Sequence, residues 1–258
     1  MESRRLMQRI PRGVAILIAI NAGILVALTF ANFVLRLSGG EAQAARWLDL
    51  PPGGGVVERP WSVVTYMFTQ TDVWHAVFNM LWLYWFGMIL QNLTSPRRLV
   101  KVYLIAGLAG AASYIAWSFI RPEGAGAGLE GASAAVMGIV TATACLVPDY
   151  RLNLMLLGHV KLKWIAIVTI GLFALGLTGS NAGAHVAHLG GVAAGAIYAF
   201  TLKYHHRPRS KAHPESIHID EADARKELDM LLDKVRRSGY GALTAAEQRR
   251  LFELSRHV

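Results

Sequence analysis

Apolar positions along this chain come in long unbroken blocks rather than in stripes. Six blocks stand out, at 14–35, 74–90, 99–120, 131–147, 163–177 and 185–202. Each is near the ~20 residues a helix needs to cross a bilayer core. Continuous apolarity without period-two alternation predicts helices, not barrel strands, because backbone polar groups in lipid must be satisfied within the segment. The run Val14–Leu35 follows Arg4, Arg5, Arg9 and Arg12 and is longer than a signal-peptide core. It is expected to be a retained first helix.

Beyond Lys203 the pattern changes to polar and densely charged. The expected organisation is an N-terminus at 1–13, a membrane domain at 14–203, a linker at 204–218 and a helical tail at 219–258. In the tail, Ala224, Leu228, Leu231, Leu232 and Val235 fall on one stripe of a helix over Glu221–Ser238. Gly239 and Gly241 stop it, and Thr244 with Glu247 forms a capping box for a second helix carrying Leu251, Phe252 and Leu254. A two-helix hairpin buries little surface alone. Packing on itself, docking to the membrane domain and binding an unidentified cytoplasmic partner are all open to it.

Composition agrees with a membrane protein: 53% of residues are hydrophobic and 17% charged. The formal net charge of +9 would raise nucleic acid in a soluble protein. Here the basic residues gather in alternate gaps. They are the N-terminal arginines, then Arg97, Arg98 and Lys101, then Arg151, Lys161 and Lys163, then Lys203, Arg207, Arg209 and Lys211. The positive-inside rule accounts for them, so no nucleic-acid partner is expected and both termini are expected in the cytoplasm, in a multi-pass protein of the cell (inner) membrane. The one cysteine, Cys145, excludes an intrachain disulfide.

Two segments break the pattern. The fourth block lies between the glycine-rich Gly124–Gly131 and Pro148, and at ~1.5 Å per residue it spans only about 25 Å. Its start should lie below the outer surface, met by irregular backbone that is tolerated at depth only inside protein or beside a wet cavity. The first gap, Leu37–Pro60, carries Trp47, Leu48 and Leu50, as expected of an interfacial segment or a plain surface loop.

Polar groups within spans are costly and mark function. No block carries an Asp or Glu in its apolar interior, which argues against an ion-coupled transporter. Ser133, in Gly131-Ala132-Ser133-Ala134, falls at the first turn of the short helix, where free N–H groups stabilise an anion. A serine there serves equally as an N-cap or a small packing residue. His188 lies three residues before Gly191, and Gly191 with Gly195 makes a small-residue face that admits a neighbouring helix closely. A neutral histidine so placed is a general base for a serine, or a packing residue bonded to a carbonyl. His75 and Asn79, four apart, project two donors from one helix face. They suit an oxyanion or interhelical hydrogen bonding. His185 and His188 invite a metal reading, but no HExxH and no nearby carboxylate supply further ligands, so no metal is expected.

Taken together these residues resemble the rhomboid family. The pieces are Pro60-Trp61-Ser62-Val63-Val64-Thr65-Tyr66-Met67-Phe68, His75-Ala76-Val77-Phe78-Asn79-Met80, Gly131-Ala132-Ser133-Ala134 and Ala187-His188-Leu189-Gly190-Gly191, in order over Pro60–Tyr198. The resemblance implies an all-α polytopic membrane protein, a six-helix rhomboid-like bundle with a short C-terminal helical hairpin like those on some bacterial members. It implies an intramembrane serine endopeptidase with Ser133 as nucleophile and His188 as base. His75, Asn79, Gly131 and the Ser133 N–H then form the oxyanion and substrate-binding side. Transmembrane proteins in the bilayer are the implied substrates, without metal or cofactor. The alternative is a silent relative that holds transmembrane clients. Ala134 departs from the glycine common after the serine, Gln91 from a common glutamate, and Arg46-Trp47 reverses a common Trp-Arg pair.

Overall fold

A computed structural model describes residues 12–41, 43–126, 128–154, 158–179, 181–205, 221–238 and 243–254. The apolar blocks form helices whose ends are set by local chemistry. Helix α1 spans Arg12–Leu37, and a one-turn α2 covers Ser62–Thr65. Helix α3, Val73–Leu93, begins where the Asp72 carboxylate accepts the His75 N–H at 2.6 Å. Helix α4, Pro96–Ile120, has Ser95 as its cap and Pro96 in its first turn, a position where the missing N–H costs nothing. Helix α5 is Ser133–Leu146, α6 is Leu162–Leu175 and α7 is Ala182–His205.

The helices α1, α3, α4 and α7 are long and apolar enough to cross a membrane. The fourth and fifth expected spans form shorter apolar helices of 14 residues each, about 21 Å long. A single 3₁₀ turn at Gly176–Thr178 extends α6. The apolar side chains exposed around the bundle include Phe30, Phe33, Ile167, Leu172, Ile197 and Phe200. Water would not tolerate such a belt, whereas lipid is as apolar as the side chains themselves.

Helix α5 is the centre of this unit. Every residue from Ser133 to Ala144 is buried, against α3, α4 and α7. Small residues make this possible. A Cβ on Gly191 or Gly195 of α7 would collide with the α5 carbonyls of Ala134 and Gly138, and one on Gly138 with Ala106 of α4. Helix α6 is held lightly by comparison, with only Leu162 and Ala166 buried.

The three positions that depart from the resemblance sit in defined local surroundings. The Ala134 methyl faces Gly110 of α4, where a Cβ would come within 2.7 Å of it, so the bulk added on α5 is absorbed by a glycine opposite. Gln91 Oε1 accepts the Val14 N–H at 3.3 Å, joining the end of α3 to the first turn of α1. Arg46-Trp47 belongs to a loop of two 3₁₀ turns, Ala44–Trp47 and Gly53–Val57. The Trp61 and Thr65 side chains donate to the carbonyls of Trp47 and Leu48, each at 2.7 Å.

The gap between the fourth and fifth blocks holds an element the hydropathy pattern does not mark. Strands β1 (Arg151–Leu154) and β2 (Gly158–Lys161) pair antiparallel, Arg151 opposite Lys161. Asp149 accepts from Lys161 and Lys163, both at 2.9 Å, and these ammonium groups hold its carboxyl down at about 2.

Residues 206–258 form a separate unit. Helices α8 (Glu221–Ser238) and α9 (Ala245–Leu254) enclose Leu231, Leu243 and Leu254, flanked by Leu228, Val235 and Leu251. Leu232, expected on the same stripe, is instead exposed, because it sits one position past Leu231 and rotates off the buried face. The capping box forms: Thr244 N–H reaches Glu247 Oε2 at 2.7 Å and Glu247 N–H returns to Thr244 Oγ at 3.3 Å. Ion pairs Lys234–Glu247 and Arg250–Glu227 join the two helices. The expected N-terminus up to residue 11, most of the linker, and the stops at Gly239 and Gly241 lie outside the described residues.

Candidate active site

The site assembles where α5 begins. The glycine-rich segment reaches it through a bridge in which Leu50 and Leu129 exchange both backbone hydrogen bonds at 2.9 Å. The segment is held again where Gly131 N–H donates to the Tyr66 carbonyl at 3.0 Å. The Thr71 hydroxyl donates to Glu130 Oε1, tying it to the entry of α3. Burial raises the Glu130 carboxyl. Gly131 then takes φ +113°, a conformation that side chains rarely adopt.

Ser133 follows as the first residue of α5. The N-cap position is Ala132, with no side-chain cap, so the Ser133 hydroxyl is not spent on the helix end. It meets His188 of α7 instead, Oγ to Nε2 at 2.6 Å across 55 residues of sequence. Such a separation is within hydrogen-bond reach for a nucleophile and its base. For Nε2 to accept the serine proton, the ring's own proton must be on Nδ1. No hydrogen-bond partner for Nδ1 occurs among the described residues. The ring is positioned by packing, with Phe173 of α6 against it at a centroid distance of 4.3 Å.

His75 belongs to the same cluster. A Cβ on Gly131 would lie 3.0 Å from His75 Cε1 and 3.7 Å from Ser133 Oγ. Gly131 is therefore the spacer between the imidazole and the hydroxyl, and its bareness leaves the gap open. Asn79 lies one turn further along the same face of α3 and is buried; its recorded partner is Gln70, at 2.9 Å. His185 stands beside His188 with ring centroids 6.0 Å apart, and no group of three or more metal-ligating side chains occurs among the described residues.

Two residues at the site escape a reading by motif. Phe173 is one apolar residue in an apolar block and carries no signal. Asn21 does: an amide inside the first apolar run is costly unless it is used. It is fully buried and bonded to Gln70, which touches Asn79.

Apolar helices long enough to cross a membrane, packed around a short central helix, define a multi-pass membrane protein, and a serine and a histidine meet at the buried start of that central helix. Residues 57–205 match the Rhomboid domain family, and residues 218–257 match a family of unknown function (DUF6576). The chain belongs to the rhomboid family. It is 32% identical over 149 residues to RHOMBOID-like protein 12, mitochondrial, of Arabidopsis thaliana, covering 53% of this chain and 44% of that protein. It is 24% identical over 176 residues to Rhomboid protease GlpG of Yersinia pseudotuberculosis (serotype I, strain IP32953) and of Yersinia pestis (strain Pestoides F), covering 68% of this chain and 60% of each. The chain thus spans from under half to three-fifths of the length of these curated relatives.

Proposed function

We propose that this chain is an intramembrane serine endopeptidase that cleaves transmembrane proteins with a Ser133–His188 dyad. The observation that carries the reading is the 2.6 Å approach of Ser133 Oγ to His188 Nε2 at a buried helix start. Family membership and the protease named among the relatives support it.

In this reading Ser133 Oγ attacks the scissile carbonyl and its proton passes to His188 Nε2. The carbonyl oxygen becomes an oxyanion and accepts hydrogen bonds from the Ser133 N–H, the His75 ring and the Asn79 amide, beside Gly131. Collapse breaks the C–N bond, and His188 delivers its proton to the leaving amine. Water then attacks the acyl-serine, giving its proton to His188; collapse breaks the acyl–Oγ bond, His188 returns that proton to Ser133 Oγ, and the acid leaves. Donors already fixed in a site of low dielectric stabilise the developing charge without reorganisation. No step calls for a metal or cofactor.

The six helices α1, α3, α4, α5, α6 and α7 act as the six spans, with 14–203 as the membrane domain. Both termini face the cytoplasm of a cell (inner) membrane, on the positive-inside pattern. The tail at 219–258 is a cytoplasmic helical hairpin able to bind a partner there, with 204–218 as its linker.

The test is co-reconstitution in liposomes with a panel of single-span helices tagged at both ends. The wild type is expected to yield two fragments from at least one member, and Ser133→Ala none. Capture of a tagged helix without cleavage, unchanged in Ser133→Ala, would favour a client-holding protein instead.

A further inference from the structure

We infer that Gln70 and Asn21 are positioning residues that fix which end of the Asn79 amide faces the reacting carbonyl, making α1 part of the oxyanion machinery. The inference rests on the protease reading above. It comes from an unbroken chain of buried hydrogen bonds. Asn79 Nδ2 donates to Gln70 Oε1 at 2.9 Å, and Gln70 Nε2 donates to Asn21 Oδ1 at 3.2 Å. Asn21 Nδ2 donates to the Leu17 carbonyl at 2.9 Å and to the Tyr103 hydroxyl at 3.1 Å. Tyr103 in turn donates to the Met67 carbonyl at 2.7 Å. Asn21, Gln70, Tyr103 and Asn79 are all buried, at 1%, 1%, 0% and 6% exposure, so a lost partner leaves a costly unmatched polar group.

The direction of this chain follows from its far end. A backbone carbonyl only accepts. Tyr103 has one proton; the Met67 carbonyl takes it at 2.7 Å rather than Asn21 Oδ1 at 3.5 Å, so Tyr103 receives from Asn21 Nδ2 at 3.1 Å. Leu17 likewise requires a donor from Asn21. Both Asn21 N–H groups are thus committed, and its oxygen must turn to Gln70. Gln70 must then present N–H to Asn21 and oxygen to Asn79. Asn79 must answer with N–H. One of its two N–H groups is used in this way, and the second has no partner among the described residues.

The consequence is chemical. An asparagine amide is nearly symmetric in shape, and a flip would aim oxygen rather than N–H at the developing oxyanion. In a buried site that exchanges attraction for repulsion. Two carbonyls, on α1 and in the turn before α3, hold the polarity. Neither Gln70 nor Asn21 need touch substrate.

The experiment is fluorophosphonate inactivation of the full chain in detergent, separating the maximal rate kinact from the half-saturating concentration KI. Ser133→Ala is the control; labelling that survives it overturns the protease reading itself and this inference with it. With that control silent, Gln70→Leu is expected to lower kinact at least about tenfold, toward the ~10²-fold loss typical of a missing oxyanion donor, with KI unchanged. Gln70→Glu, whose protonated acid keeps a donor toward Asn21 and an acceptor toward Asn79, is expected to recover most of the rate. In an Asn79→Ala background, Gln70→Leu should change nothing further. Wild-type kinact in Gln70→Leu, or an undiminished further loss in the double variant, overturns the inference and leaves the dyad standing. If Gln70→Leu fails to fold, Asn21→Ala decides: a lowered kinact supports the inference and an unchanged one overturns it.

Discussion

Gly191 of α7 lies so close to the Ala134 carbonyl of α5 that no side chain fits between them. This approach lets His188, one turn earlier on α7, reach Ser133, which directly precedes Ala134. The Ser133–His188 distance is therefore a consequence of backbone packing between two helices.

Gly191→Ala should move those helices apart. Overpacking of this kind costs roughly 1–3 kcal/mol, and a displacement near 1 Å at the proposed Ser133–His188 dyad costs on the order of 100-fold in rate. Gly195→Ala collides with Gly138 one turn further on. It should destabilise similarly and slow labelling less. Thermal melts and fluorophosphonate labelling rates of the two variants check this.

Gly131→Ala should act on the other side of the serine. Alanine meets both an unfavourable φ of +113° and the His75 ring. Backbone strain of this type costs roughly 1–3 kcal/mol. In the proposed mechanism His75 is an oxyanion donor, so displacing it should lower the maximal labelling rate by about 10²-fold, the scale of one such donor. The same kinetic measurement reads it.

Ala134→Gly tests whether the alanine is a defect. Its methyl is buried against Gly110, so it is already accommodated. Glycine here should cost about 0.5–1 kcal/mol in helix stability and leave the labelling rate within roughly threefold. A large gain in rate would mean that the methyl obstructs the site.

The tail should respond to acid. The ion pair with Lys234 and the hydrogen bonds from Thr244 hold the Glu247 carboxyl at about 2, below its ordinary 4.5. A carboxyl depressed on folding contributes stability above its unfolded value, and that contribution is lost as pH falls through the folded value. Local opening of α8 and α9, from hydrogen exchange corrected for intrinsic rates, should therefore be greater at pH 3 than at pH 7. Glu247→Gln at pH 7 should reproduce part of that opening.

Much of this architecture is readable from sequence because its signals are local. The apolar blocks give the helices, and the i, i+3 spacing of Thr244 and Glu247 gives a cap that forms. Gly191 and Gly195 mark the close approach that brings His188 to α5. Ser133 Oγ and His188 Nε2 lie 2.6 Å apart, and His75 comes beside Gly131. The amide chain is not readable in this way, since Asn21 and Tyr103 are 82 residues apart and meet only once α1 and α4 pack. Phe173 against His188 is another tertiary accident of an apolar run. The β1–β2 hairpin is too short and mixed in composition to show a strand period.

The most direct measurement is to treat wild type, Ser133→Ala and His188→Ala with a fluorophosphonate in detergent and map any adduct by peptide mass spectrometry. A phosphonyl group is expected on Ser133 in the wild type and none at that position in either variant. A folded wild type without the adduct, or an adduct on another serine that persists undiminished in Ser133→Ala, would contradict the proposed dyad.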